Sequence, residues 1–444
     1  MPNSISTLNW YKLDPIDLLL MREAKPFSPG DGSWAKGQFP PLPITVFQAM
    51  RSATPWKGRD NNRQRDLEFV GPFLLHAPPD RDPSLWLPTP QDLLRVKTFS
   101  TAEEETNESD RTASIEETNL TDVSSEWERT ARFQPLERTN STWEFLGFDP
   151  AFFPEGELVP MVPPTQTAHL DSEAATGDLN ACLRSIDESH REGIAGRPLP
   201  WIRADALVQY LEGAVLEKET SKEQTQVQQN SPPEDCFHQD PWTTQVLPHI
   251  KIQSGARQVE EEDGYFTEVS IRMDTHWHLV AGISATLDSK VVRLGGEGHR
   301  ALVSLIPSPP GWEALRAFLL PNAASQTAYV LTPGLAQVAE ERFGLIPETW
   351  KPSLRGCVGD RALLWGGMSV FQKPDSPEKS VAFQPQRAFV PPGTVYRFQP
   401  GALPDEIEAL ATTDSAPPKL LPAEGGSWLA TFNSLNYGLL LWGQ

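Results

Sequence analysis

The sequence predicts an α+β protein made mostly of short strands, on three observations. The chain of 444 residues holds 43 prolines against 30 glycines. Fixed φ angles and missing amide donors favour short strands, set turns and long irregular connections over helical bundles. Several windows alternate polar and apolar residues, the clearest running from Gly264 to Met273. Helical spacing is confined to a few short windows. The length suits two domains or more, although a hydrophobic content of 39 % is lean.

Taken in order, Leu8 to Met21 reads as the first strand and Glu23 to Gly32 as a turn-rich loop. Phe39-Pro40-Pro41-Leu42-Pro43 fixes an extended approach to a helix. Val46, Phe47, Met50 and Ala53 then share one stripe, so this helix runs from about Pro43 to Ala53. Thr45 and Gln48 lie in its early turns, where free amides and the positive dipole end favour anions. The same residues also suit a plain amphipathic helix with a proline start. Leu67 to His76 is a strand bent at Gly71-Pro72, and Leu85 to Leu94 is an extended piece entering a turn. Thr98 to Ser141 is acidic, rich in Thr, Ser and Asn, and poor in apolar anchors, so it reads as an exposed or partly disordered insertion. Leu179 to Gly193 and Ala204 to Glu217 have helical spacing, the second with Leu207, Val208, Leu211 and Val215 on its stripe.

Lys218 to Asp240 is a Gln- and Glu-rich linker. His249 begins a strand, Gly264 to Met273 is a long one, and Trp277 to Ser284 is another. Lys290 to Arg293 and Ala301 to Ile306 flank a glycine loop. Gly311 to Leu320 reads as a helix and Tyr329 to Pro333 as a strand. Arg361 to Trp365 and Met368 to Gln372 are short strands around Gly366-Gly367. Gln386 to Val390 and Thr394 to Gln399 form a hairpin across Pro391-Pro392-Gly393, and Asn436 to Gly443 is a closing strand. No fixed-period repeat is present.

A net charge of −21 argues against a free-standing nucleic-acid binder. The charge is segregated, however. Ten acidic residues fall between Phe99 and Thr130, whereas Arg51, Lys57, Arg59, Arg63 and Arg65 outnumber Asp60 and Asp66 just upstream, so a local basic face is compatible with the total. Cys182, Cys236 and Cys357 are far apart and suit free thiols in a reducing compartment. Ile16 to Met21 is too short to span a bilayer. These features lead us to expect a soluble, cytoplasmic protein.

No nucleotide-hydrolysis, dinucleotide or serine-nucleophile motif appears, and no cofactor is expected. His276 and His278 alternate around Trp277, which suits either two metal ligands on one strand face or a packed histidine pair, and no third ligand is evident. Of the eight histidines, His76, His249 and His299 adjoin strands and are the candidates for a general base in RNA cleavage, without a partner acid. The glycine loop carries most of the remaining chemistry. Gly295, Gly296 and Gly298 let a second backbone come close, while Arg293, His299 and Arg300 supply cationic edges. Such a loop suits a phosphate chain; the same residues equally make a tight hairpin with ordinary surface charge.

Several blocks resemble one branch of the RAMP superfamily. Arg22-Glu23-Ala24-Lys25-Pro26-Phe27 is similar to the turn after its first strand, and Phe39-Pro40-Pro41-Leu42-Pro43-Ile44-Thr45-Val46 to its proline-led first helix. Gly71-Pro72-Phe73-Leu74, His249-Ile250-Lys251-Ile252, Arg293-Leu294-Gly295-Gly296-Glu297-Gly298-His299-Arg300 and Val390-Pro391-Pro392-Gly393-Thr394-Val395-Tyr396 follow in the same order. The branch comprises third subunits of the Cmr complex, the type III-B CRISPR effector. The resemblance implies two ferredoxin-like (RRM-like) domains, divided here as 1–305 and 306–444, with acidic insertions near 98–141 and 218–240 that depart from the family. It implies a non-catalytic subunit that holds the 5′ tag of the crRNA and bridges the large signalling subunit to the backbone RAMP subunits, meeting target RNA only indirectly and no membrane. It makes Arg22, Lys25, Thr45, Arg51, Arg293, Gly295, Gly296, Gly298, His299 and Arg300 the candidate RNA contacts, with no metal site. The rival readings are a RAMP-type endoribonuclease acting on precursor crRNA and a pure protein-interaction scaffold.

Overall fold

A computed structural model of the protein describes residues 8–21, 34–35, 37–54, 67–100, 127–135, 158–163, 190–218, 236–250, 265–339, 342–372, 379–407 and 416–444. Alternation along the first strand sets the architecture. In β1 (Asn9–Pro15), Tyr11 and Leu13 are buried on one face and Trp10 on the other. Successive side chains of a strand point to opposite faces, so this strand needs cover on both sides.

The sheet around it also contains β2 (Phe69–His76), β3 (Ser84–Pro88), β4 (Trp201–Arg203), β5 (Phe237–His238), β6 (Trp277–Ile283), β7 (Lys290–Arg293) and β8 (Arg300–Ile306), in the order β5-β4-β3-β2-β6-β1-β8-β7. One face is covered by α1 (Pro43–Arg51), whose Val46, Phe47 and Met50 pack with Tyr11, Leu13, Leu279 and Val303. Phe47 meets Phe69 edge-on, ring centroids 5.8 Å apart. The other face is covered by α2 (Ala204–Leu211) and α3 (Trp312–Arg316). There Trp312 packs against Trp10 at 4.9 Å and Phe73 at 5.7 Å.

A second sheet holds β9 (Thr327–Val330), β10 (Leu354–Val358), β11 (Val395–Phe398) and β12 (Leu440–Gly443), in the order β10-β11-β9-β12. Trp350, Tyr396, Phe398 and Trp442 fill its core. The two sheets share a pattern. In the first, β8-β1-β6-β2 places the fourth, first, third and second of these strands side by side, every neighbour antiparallel. In the second, β12-β9-β11-β10 repeats that order, again antiparallel throughout. Between β11 and β12 lies α4 (Ser427–Ser434), which sends Phe432 into the core under α1 together with the following Leu435 and Tyr437. The Ile44 amide donates to the Tyr437 hydroxyl at 3.2 Å, so the C-terminal segment ties down the start of α1.

The α+β class and most strands agree with the sequence reading; several boundaries do not. The hairpin expected across Pro391-Pro392-Gly393 does not form. Lys379–Phe389 pairs instead with Leu363–Gln372, and β11 pairs with β9 and β10. Leu363–Gln372 is one strand, and Gly366-Gly367 marks a register shift within it rather than a break. His249 lies near the end of the strand Trp242–Ile250 and does not begin one. The helix expected to Glu217 stops at Leu211, leaving Val215 exposed. Residues 190–193 of an expected helix form the strand His190–Ile194. Both acidic segments have structured ends: Arg129–Arg132 is a strand next to buried Trp127, and Phe237 in β5 is buried. The helix α4 carries no expectation from sequence. Residues 101–126, 164–189 and 219–235 lie outside the described residues.

Trp312→Ala should lower stability by about 3–5 kcal/mol, since it removes a buried indole from between two aromatic neighbours. The shift of the urea-denaturation midpoint at unchanged slope checks this.

Candidate nucleic-acid interface

Residues Thr45, Gln48, Ala49 and Ser52 follow the i, i+3, i+4, i+7 spacing and form one stripe of α1. With Val46, Phe47 and Met50 in the core, this stripe borders a cleft of about 490 Å³. Arg293, Gly295 and Gly296 from the β7–β8 hairpin line it too, with Leu20, Met21, Gln38 and Leu42. Leu364, Trp365 and Gly366, from the strand Leu363–Gln372, close the remaining side. The described residues lining the cleft include no carboxylate.

The hairpin is tight. Arg293 stands opposite Arg300, the Leu294 amide donates to the His299 carbonyl at 3.0 Å, and the His299 amide donates to the Gly296 carbonyl at 3.1 Å. The Gly296 amide donates to the Leu20 carbonyl at 2.7 Å. Three loop amides thus already have backbone acceptors, so a phosphate held here is met chiefly by arginine. Gly295 has φ +92°, and a Cβ there would stand 2.5 Å from the Leu20 carbonyl oxygen. Gly298 also has positive φ, +83°, but open space around it. Like charges directly across an antiparallel pair repel. Arg293 and Arg300 are both exposed, and neither forms an ion pair among the described residues, so a bound anion would relieve their repulsion.

Glu268 anchors the far end of the hairpin. It is buried on the strand Tyr265–Met273, accepts a hydrogen bond from the Ser270 hydroxyl, and lies 2.7 Å from His299 Nε2 and 2.8 Å from His249 Nε2. Burial pushes its pKa up, but the Ser270 hydroxyl and the His299 ring outweigh burial and hold it below the usual value.

The structure therefore gathers Thr45, Arg293, Gly295 and Gly296 around one cleft. Arg51 stands at the end of α1 and donates to Gln48 Oε1 at 2.7 Å. Gly298, His299 and Arg300 lie beyond the lining, with His299 held to Glu268. Arg22 and Lys25 fall outside the described residues. His76 stacks on Trp277 at 4.6 Å, and burial foremost lowers its pKa. His276 and His278 do not share a strand face. His276 sits at φ +65° in the turn before β6, whereas His278 pairs with Asp14. Among the described residues no three potential ligands cluster for a metal, and no helix is long and apolar enough to cross a membrane. Sequence reasoning missed Gln38, Ser52 and Trp365. The stripe through Thr45 and Gln48 points to Ser52, but nothing local points to Trp365.

The model of the CRISPR-associated protein (Cas_Cmr3) family matches residues 11–147 and 153–444. The chain belongs to this family. It is a CRISPR-associated Cmr protein, as the resemblance of its sequence blocks implies. Two chains of solved structures are similar to this Cas_Cmr3 protein. One, from the Type III-B Cmr-beta bound to cognate target RNA, has 11 % identity and a TM-score of 0.38, covering 97 % of this chain and 96 % of that one. The other, from the Type III-B Cmr-beta bound to cognate target RNA and AMPPnP, has 9 % identity and a TM-score of 0.35, covering 87 % and 86 %. No curated protein matches the chain.

Gly298→Ala should cost about 1–2 kcal/mol through backbone strain alone, and Gly295→Ala more, because its new Cβ also meets a carbonyl oxygen; denaturant titration of both variants checks the order. Glu268 should make stability depend on acid. Its folded-state pKa lies below the ordinary 4.5, so its contribution is full above that value and is lost as pH falls through the folded one. Glu268→Gln should flatten that part of the stability-versus-pH curve.

Proposed function

We propose that this chain is the non-catalytic subunit of a type III-B CRISPR effector that holds the 5′ tag of the crRNA and bridges the large signalling subunit to the backbone subunits. The observation that supports this most directly is the convergence of the α1 start, the glycine hairpin and Arg293 on one cleft whose described lining residues include no carboxylate. A single strand of RNA needs cations for its phosphates and a partly apolar trough for its bases, and this cleft has both. Two ferredoxin-like units, 1–305 and 306–444, would account for the repeated fourth-first-third-second strand order. The complex would act in the cytoplasm.

One observation favours a second reading. His299 against the buried Glu268 is a pairing that can also orient a general base, as a RAMP-type endoribonuclease would need. Metal-independent cleavage of precursor crRNA, lost on His299→Ala or His249→Ala, would replace the non-catalytic reading. Crosslinking of the tag exclusively to other subunits would replace it with a pure protein scaffold.

Charge reversal at Arg293 and Arg300 together should weaken retention of tag-bearing RNA by the assembled complex at least about tenfold and reduce the salt slope of binding by about two. Unchanged retention would remove the hairpin from the RNA path.

A further inference from the structure

We propose that His76, His238 and His276 form an anion site for a phosphate group, which fills as their imidazoles take up protons. The site stands apart from the cleft, shares none of its lining residues and does not rest on the RNA reading. Two strand ends and a turn bring it together. His76 ends β2, and its partner across the ladder is Trp277, the first residue of β6. His238 ends β5. Both imidazoles meet the Trp277 indole, His76 stacked on it at 4.6 Å and His238 tilted against it at 4.7 Å. His276 precedes Trp277 in the turn, and its carbonyl accepts from the Ala77 amide at 2.9 Å. The third imidazole therefore starts beside the other two. His276 is exposed and the others are half-buried, so an ion reaches them from water.

The rings have donors to give. A carbonyl only accepts, so the Nδ1 of His238, 2.6 Å from the Gln239 carbonyl, carries the proton and leaves Nε2 as the nitrogen that gains one. Among the described residues no hydrogen bond or ion pair engages the rings of His76 and His276. Burial foremost, then the charges of His238, His276, Arg81 and His278, lower the pKa of His76. These charged neighbours are all bases. The surrounding carboxylates do not answer them. Asp14 pairs with His278 and Lys12, and Asp240 accepts from the Trp201 indole at 2.8 Å. Among the described residues Asp80, Asp82 and Asp274 form no ion pair with the three imidazoles. Protonated rings against one indole repel each other, and an anion between them relieves the repulsion. Neutral imidazoles suit a metal instead, but among the described residues no three ligands cluster closely enough for one. A phosphate group, with oxygens on every side, spans more widely set donors.

The test uses the full chain, isotope-labelled in its eight histidines, with NMR spectra of the rings recorded as sulfate, inorganic phosphate or dimethyl phosphate is added at constant ionic strength. Sulfate keeps its charge across the range, so the pH dependence of its binding belongs to the protein. Sulfate and phosphate should saturably shift the signals of His76, His238 and His276 at about pH 5.5, and sulfate should bind about tenfold more weakly at about pH 7.5, as for a site needing one imidazolium of ordinary pKa. His238→Gln and His276→Asn should each weaken sulfate binding about tenfold at the lower pH, without changing the melting temperature at the higher pH in the absence of added anion. Asparagine suits the positive φ of His276, +65°, so that variant removes the ring and keeps the turn. Binding of dimethyl phosphate too would extend the site to the diester links of a nucleic acid, and its exclusion would confine the site to terminal phosphates. If no signal saturates, if all the histidines shift alike, or if both variants bind sulfate as the parent does, the site is absent. Equal affinity at the two pH values would overturn protonation as its trigger.

Discussion

The architecture depends on β1 being buried on both faces. Trp10 needs cover on one side and Tyr11 with Leu13 on the other, and no single local segment supplies both. The α1 helix reaches one face directly from the sequence that follows β1. The other face waits for α2 and α3, which begin only at Ala204 and Trp312. The first face is completed from the C-terminal part, by Phe432, Leu435 and Tyr437. Each such residue contributes about 1.5–3 kcal/mol of burial, so distant parts of the chain are tied together by ordinary apolar contact rather than by any special bond.

The cleft follows from that arrangement. Tyr437 pins the start of α1 through the Ile44 amide, and Gly295 lets the β7–β8 hairpin press against the Leu20 carbonyl. With both edges set, the stripe from Thr45 to Ser52 faces the hairpin across a gap, and the strand bearing Trp365 closes it. Glu268 plays a different part. Taking a carboxylate out of water is unfavourable unless hydrogen bonds compensate. Ser270, His299 and His249 surround it, so the end of the hairpin is held by a polar cluster in which Glu268 accepts from Ser270 and lies against both imidazoles.

Much of this was legible where the signal is local. The proline-led start of α1 at Pro43, the alternation from Tyr265 to Met273 and the glycines between β7 and β8 are short-range patterns, and each marks its element. The failures are long-range. Pro391-Pro392-Gly393 has the chemistry of a hairpin turn, yet its flanks join different partners, because a turn signal does not say which strands lie beside it. Gly366-Gly367 has the look of a break, yet a paired strand accommodates it as a register shift. Arg129–Arg132 is polar enough to pass for a loop, and its pairing comes from Leu93–Ser100.

By itself the sequence determined the α+β class, the helix start that brings Thr45 and Gln48 into play, and the hairpin that presents Arg293 and Arg300, because turn geometry and periodicity are properties of neighbouring residues. Only the tertiary structure decided that these pieces share a cleft, that Trp365 and Gln38 complete it, and that His299 is held by Glu268 instead of standing free. Those relations join residues tens to hundreds of positions apart, and they are set by which apolar faces the folded chain must bury together.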